Sequence, residues 1–209
     1  MTQRSPSAAS LSQAMETEYA RRIALATPTD TARGLFFNGV LSAVITFGGE
    51  PALKQCHARL NDKRFERRFI DFSSYPVSDF LRLSLAASQI LTSQLGSPET
   101  TQRRLGMQAT RDFLSSMAGR TVLLLSGDSP KRLLDKIPNA YRSAVSYGER
   151  TVTMMGDKAA RVVFTRDFML PHYNEGVLSA VLESVNARNP RVHSRAIGPM
   201  DSEYELAWD

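Results

Sequence analysis

The hydrophobic pattern divides the chain into two parts. Through most of the first 149 residues, apolar residues recur at steps of three and four, the period of helices that bury one face. After residue 150 they mostly alternate, as in strands with one buried face, apart from one more helical stretch. The pattern predicts an α+β fold with a mainly helical part, residues 13–149, packed on an antiparallel ββαββ unit, residues 150–209.

Two hairpins are predicted to flank one helix in the closing unit. Gly156-Asp157 can supply the positive φ of the first hairpin turn, and Gly198-Pro199 marks the second turn. The helix must stop before Asn189-Pro190, because the residue before a proline is displaced from the α region. The predicted strands are 151–155, 160–166, 192–196 and 203–208, and the predicted helix is 173–185.

Capping residues and glycines mark the helices of the first part. Thr27-Pro28-Thr29-Asp30 is typical of a helix start, and Gly48-Gly49 of a helix end. Residues 1–12 are small and polar, which predicts a disordered tail. Residues 16–26 fit a helix or a strand, and the apolar run 121–125 fits a buried strand or a buried helical turn, with helix favoured. The other predicted helices are 51–60, 77–95, 98–119 and 129–136, with a brief extended segment at 69–72.

Composition is that of a globular protein with an ordinary core. The 209 residues are 42% hydrophobic and 22% charged. No apolar run approaches the roughly 18–20 residues of a membrane helix, and no signal peptide is recognisable. Cys56 is the only cysteine, which excludes a disulfide within the chain. These features predict a cytoplasmic location.

Basic residues are concentrated in the segment 54–68. The net charge of +5 comes from the first 149 residues, since the last 60 are close to neutral. Such a segment is either an attraction site for phosphate or an ordinary solvated surface, and both readings stay open. The candidate nucleic-acid-binding residues are Lys54, Arg59, Lys63, Arg64, Arg67 and Arg68.

Catalytic and cofactor motifs are missing from the sequence. There is no phosphate-binding glycine loop and no Gly-x-Ser-x-Gly motif. His57, His172 and His193 are far apart and have no metal-ligand spacing, so no metal site is predicted. Cys56 is interpreted as a small buried hydrophobe rather than a nucleophile. No catalytic residue and no cofactor is assigned.

A few residues could still contact a ligand or partner. Arg33 and Arg82 flank strongly apolar helices, where an arginine can face an anionic ligand or extend to solvent. His172, Tyr173 and Glu175 lie at a predicted helix start, whose free N–H groups can bind an anion or be capped locally. Phe37 lies beside the apolar stripe of its helix. The candidate ligand or partner residues are Arg33, Phe37, Arg82, His172, Tyr173 and Glu175.

Several segments together resemble an uncharacterised paralogous family of roughly 200-residue proteins found chiefly in myxobacteria. The segments that carry the resemblance are ALATP (24–28), RGLFFNGVL (33–41), FSSYPVSDFLRL (72–83), YNEGVL (173–178) and DSEYEL (201–206). This family supplies no catalytic residue.

The order of elements is similar to that of a wider superfamily. It joins haem-based nitric-oxide sensors, vinyl-reductase-type ligand-binding domains and vesicle-tethering subunits with a lipid channel. This similarity implies a regulatory or assembly module with an apolar pocket, often dimeric. No histidine here matches the proximal ligand of the sensors, and the cysteine pattern of the vinyl-reductase-type domains is absent, so neither haem nor metal is carried over.

Three hypotheses follow. The first is a non-enzymatic cytoplasmic regulatory or interaction module that binds a small apolar ligand, a protein partner or a second copy of itself. The second is a nucleic-acid-associated protein that uses the segment 54–68. The third is an enzyme of unfamiliar type, which a concave cluster of polar groups would support.

Overall fold

The computed structural model describes residues 8–209 and shows an α+β fold, as predicted. Residues 1–7 of the predicted tail lie outside the described residues, whereas residues 8–12 are helical rather than disordered, because helix α1 spans Ala8–Leu25. Residues 16–26, which fitted either state, are therefore almost entirely helical. Within residues 8–209, no helix combines the length and apolar character needed to cross a membrane.

Three long helices form the centre of the helical part. They are α2 (Gly34–Leu60), α3 (Val77–Leu95) and α4 (Pro98–Ser115). The predicted break at Gly48-Gly49 is a kink inside α2, where Gly49 has a φ of 68° that only glycine adopts readily. The helices meet around a core that contains Phe37, Val40, Leu83 and Leu105.

The predicted helix start at Thr27 is wrong. Thr31–Arg33 is a short strand, β1, which pairs antiparallel with β2 (Ser74–Pro76), and α2 begins only at Gly34. The Asp30 carboxylate accepts hydrogen bonds from the Thr27 amide (2.9 Å) and hydroxyl (2.8 Å), which closes a turn instead of a helix. Asp30 also pairs with Arg166 at 2.7 Å. Long-range contacts therefore override the local capping pattern.

Three short helices follow α4 and form one side of the molecule. They are α5 (Met117–Ser126), α6 (Pro130–Leu134) and α7 (Ile137–Ala144). The run 121–125 is helical, as favoured, but the expectation that it is buried is wrong. Leu124 is 83% exposed and Leu125 is 68% exposed. Because α5 is amphipathic but covered on one side only, its other apolar side chains remain in solvent.

The ββαββ unit is confirmed. Its strands are β3 (Glu149–Gly156), β4 (Ala159–Thr165), β5 (Arg191–Ala196) and β6 (Ser202–Ala207), in the order β3-β4-β6-β5 with every neighbouring pair antiparallel. Helix α8 (Pro171–Glu183) packs against β5, and its Leu178 and Leu182 share one core with the sheet. Tyr204 and Leu206 on β6 and Trp208 directly after it are buried, as the alternation predicts.

Two glycines attach the unit to the helical part. A Cβ on Gly106 of α4 would collide with the backbone carbonyl of Tyr173, and a Cβ on Gly176 of α8 would collide with that of Arg103. The missing side chains let the backbones of α4 and α8 approach closely. This crossing forms one side of the cleft described next.

Candidate functional site

A cleft of about 440 Å³ lies where the helical part meets the ββαββ unit. Helices α2, α4, α5, α7 and α8 all contribute to its walls. The volume is within the roughly 300–1,000 Å³ that small-molecule sites span. Most of the lining is apolar and includes Phe36, Phe113, Val122, Ile137, Val177 and Val181.

Three tyrosines supply polar groups to this apolar cleft. Tyr141, Tyr147 and Tyr173 all line it. Burial raises the pKa of each hydroxyl above its ordinary value, because desolvation disfavours the charged phenolate. None of these hydroxyls forms a hydrogen bond to another described residue. They are neutral O–H groups whose hydrogen-bonding capacity is unused within the described residues.

A buried ion pair holds one end of the cleft. Arg150 of β3 donates to the Asp167 carboxylate at 3.0 Å, and the two side chains are 2% and 4% exposed. The guanidinium also lies 4.7 Å from the centre of the Tyr141 ring, a cation–π contact. Asn174 of α8 donates to the other Asp167 oxygen at 2.5 Å. Asp167, itself part of the cleft lining, therefore connects the sheet with α8.

Glu175 forms a second polar cluster beside the cleft. One of its carboxylate oxygens accepts from Arg103 of α4 at 2.5 Å and contacts His172 at 3.0 Å. The other accepts from the amide and the hydroxyl of Ser194 on β5, at 2.9 and 2.6 Å. Burial alone would raise the pKa of Glu175, but hydrogen bonds from His172 and Ser194 outweigh it and hold the pKa at about 2. The Glu175 carboxylate therefore connects α4, α8 and β5, and we call it and its partners Arg103, His172 and Ser194 the Glu175 clamp.

The structure brings two of the six predicted ligand residues to the cleft. Arg33 and Tyr173 line it, whereas His172 and Glu175 belong to the neighbouring clamp. Arg33 is held in place by the carbonyl oxygens of Phe72 (2.6 Å) and Ser143 (3.1 Å).

Phe37 and Arg82 lie elsewhere. Phe37 is fully buried in the helical core, with its ring centre 4.5 Å from that of Phe69. Arg82 donates to Asp79 at 3.2 Å and lies over the Phe65 ring. Neither of the two lines the cleft.

The basic segment is spread over the end of α2 and the loop that follows it. All six of its basic residues are exposed. Arg64 is bound to Asp62 at 2.6 Å and to Asp79 at 2.8 Å, and Arg68 pairs with Asp71 at 3.3 Å. Within the described part of the chain, Lys54, Arg59, Lys63 and Arg67 form no ion pair. Nucleic-acid binding by this segment stays a prediction.

Sequence reasoning missed most of the cleft lining. Phe36 and Val177 belong to the apolar faces of α2 and α8, and helical periodicity cannot distinguish a core position from a cleft wall. Tyr141 and Tyr147 belong to no recognisable sequence motif. Their unpartnered hydroxyls depend on tertiary packing, for which the sequence carries no signal.

Solved structures of H-NOX proteins have a similar fold. An Fe(II) unliganded H-NOX protein from K. algicida aligns with a TM-score of 0.65 at 15% identity, covering 85% of this chain and 96% of that chain. An H-NOX protein from S. oneidensis in the Fe(II)NO state aligns with a TM-score of 0.67 at 13% identity, covering 85% and 99%. The resemblance to the haem-based sensors is thus confirmed for the fold. No curated protein sequence matches the chain.

The residues of the cleft do not fit a protein-ligated haem. Haem iron is held by histidine, cysteine, tyrosinate, or methionine together with histidine. None of the described residues that line the cleft is a histidine or a cysteine. Tyr141, Tyr147 and Tyr173 resist forming the phenolate that would bind iron, because burial raises their pKa. Met169 lines the cleft without a histidine to complete an axial pair.

Metal binding elsewhere has no better support. Among residues 8–209, no group of three or more His, Cys, Asp and Glu side chains is arranged to hold an ion. Cys56 is fully buried, and burial raises the pKa of its thiol to about 11, so the thiolate that binds metals is disfavoured.

The sequence itself places the chain in one family. A family model described as "Protein of unknown function (DUF2378)" matches residues 25–209, nearly the whole described chain. The match includes every helix that lines the cleft and the entire ββαββ unit. The chain therefore belongs to the DUF2378 family.

Proposed function

We propose that this chain is a non-enzymatic regulatory module that binds a small apolar molecule in the cleft between its helical part and helix α8 of the ββαββ unit. The observation that carries the proposal is the cleft of about 440 Å³ with its apolar walls. H-NOX proteins, whose structures include an Fe(II)NO state, share the fold and give support by analogy.

The lining indicates the chemistry of the ligand. Aromatic and branched side chains favour an apolar body, since burying apolar surface drives binding. The hydroxyls of Tyr141, Tyr147 and Tyr173 favour a ligand with one or two hydrogen-bonding atoms. The ligand is a neutral molecule with a mostly hydrocarbon surface.

Helix α5 is the element that we propose couples ligand binding to the binding of a partner. Its Ala118 and Val122 line the cleft, whereas its Met117, Leu124 and Leu125 are exposed to solvent. Occupation of the cleft changes what the inner side of α5 packs against. A protein partner or a second copy that binds the exposed side of α5 would therefore bind differently when the cleft is occupied.

Titration with the neutral fluorophore N-phenyl-1-naphthylamine tests the site. We expect saturable fluorescence enhancement with one molecule per chain. In the Ala140→Trp variant an indole occupies the cleft, since Ala140 lines it, and we expect the affinity to fall at least about tenfold. Native mass spectrometry of protein purified from cells checks the same site for a natural ligand.

The matched control is Ala58→Trp, which adds the same side chain at an exposed helical position outside the cleft. It should bind the fluorophore as the unaltered protein does. Absence of saturable binding, or equal affinity in the Ala140→Trp and Ala58→Trp variants, would refute ligand binding in the cleft.

A further inference from the structure

A second depression, which we call the α2–α4 groove, lies on the helical part. Its volume is about 650 Å³, and it is lined by α2, by the loop that follows α2 and by the end of α4. Its apolar residues include Leu41, Ile45 and Leu53. Arg67 and Asp112 belong to this groove and not to the cleft, which makes the two sites separable by mutation.

Two polar atoms of the groove residues lack partners. Nε2 of His57 and Oδ2 of Asp112 are shielded from solvent and accept or donate no hydrogen bond within the described residues. The second oxygen of Asp112 is occupied, because Gln108 donates to it at 2.8 Å. An unsatisfied buried polar group destabilises the fold, and more so when it is charged. A bound molecule removes this cost only where the side chain turns the unpartnered atom toward the groove.

The charged residues of the groove that form no ion pair include both acidic and basic side chains. Arg68 and Asp71 pair with each other at 3.3 Å. The remaining charged residues of the groove are Arg67, Glu66 and Asp112, none of which forms an ion pair in the described part of the chain. A purely anionic ligand would meet two unpaired carboxylates, and a purely cationic one would meet an unpaired guanidinium. A ligand with both charges has a partner of opposite sign in Asp112 and another in Arg67.

We propose that the α2–α4 groove binds a small amino-acid-like zwitterion, either a free amino acid or a short peptide. The amine binds Asp112, and the carboxylate binds Arg67. An aliphatic side chain rests on Leu41, Ile45 and Leu53, and the imidazole of His57 contributes a further hydrogen bond.

Calorimetry measures the affinity of the protein for leucine and for leucyl-leucine. Two compounds that each carry only one charge serve as the comparison. 3-Methylbutylamine keeps only the amine, and 4-methylpentanoate keeps only the carboxylate. We expect the better of the two zwitterions to bind at least about tenfold more tightly than either compound. The ¹⁵N resonances of the His57 ring should shift in the same titration.

Two variants assign the charges. Arg67→Gln should abolish the preference over 3-methylbutylamine, and Asp112→Asn the preference over 4-methylpentanoate. Arg59→Gln, an exposed arginine outside the groove, is the matched control and should leave every affinity unchanged. Circular dichroism verifies that each variant is folded.

The proposal is overturned if neither zwitterion binds more tightly than the single-charge compounds, or if the His57 resonances do not move. Equal affinities in the Arg67→Gln, Asp112→Asn and Arg59→Gln variants would also overturn it. None of these results bears on N-phenyl-1-naphthylamine binding in the cleft.

Discussion

The two sides of the cleft are built in different ways. On one side, α4 and α8 cross at Gly106 and Gly176 and are joined by the charged clamp around Glu175. On the other side, α5, α6 and α7 are short, and α5 buries only Gly119 and Ser126. Close backbone packing resists deformation, whereas short helices with few buried contacts open at low free-energy cost. A ligand should therefore enter by displacing α5 and not by separating α4 from α8.

Asp167 lies where the two sides meet, and its replacement should lower the free energy of unfolding more than any other change considered. Asp167→Asn leaves Arg150 as a buried charge without a carboxylate partner. We expect the free energy of unfolding to fall by about 3–5 kcal/mol, measured by urea denaturation. The control is Asp209→Asn, which breaks the solvent-exposed pair with Arg191 and should cost far less, because solvent screens that pair. Similar losses in the two variants would mean that burial of the Arg150 pair is unimportant.

Gly176→Ala tests the rigid side of the cleft directly. The added methyl group collides with the Arg103 carbonyl, so α8 must move away from α4. We expect a loss of about 2–3 kcal/mol, although alanine favours a helix by about 1 kcal/mol. Gly156→Ala is the control, because a Cβ there meets no atom within 4 Å. An equal melting temperature for the two variants would contradict close packing between α4 and α8.

The Glu175 clamp should make a pH-dependent contribution to the free energy of unfolding. The pKa of Glu175 is about 2 in the folded protein and 4.5 without the fold. A lowered pKa stabilises the folded state above pH 4.5, and that stabilisation is lost as the pH falls toward 2. Glu175→Gln should therefore reduce the free energy of unfolding by about 2 kcal/mol at pH 6 and by much less at pH 2. A constant difference between these pH values would show that the carboxylate charge is not what stabilises the clamp.

The smallest effect on stability is expected on the α5 side. Replacing Leu124 and Leu125 together with serine should change the free energy of unfolding by less than about 0.5 kcal/mol, because both side chains are exposed. If α5 is the surface for self-association, the double variant should also sediment as a smaller species in analytical ultracentrifugation. An unchanged sedimentation coefficient would place any self-association elsewhere.

Local sequence signals predicted much of the fold. The Gly96 end of α3, the Ser97 cap of α4 and the alternation in β3 to β6 come from interactions within a few residues, and the structure has these features where they were predicted. The predicted helix 98–119 is wrong at its end, because α4 stops at Ser115 and Gly119 lies in α5. The Thr27 start failed because Asp30 is bound by Arg166, a residue 136 positions away. The burial of 121–125 was misjudged because an apolar run does not show what covers it.

The sequence by itself determined the α+β class, the ββαββ unit and membership of the DUF2378 family, since periodicity, turn residues and motifs are local. Only the tertiary structure decided where empty space remains between the elements. The cleft exists because Gly106 and Gly176 bring α4 and α8 together while α5 to α7 form the opposite wall. Of the predicted ligand residues, Tyr173 lines that space and Glu175 does not, because residues two positions apart on a helix project from nearly opposite faces.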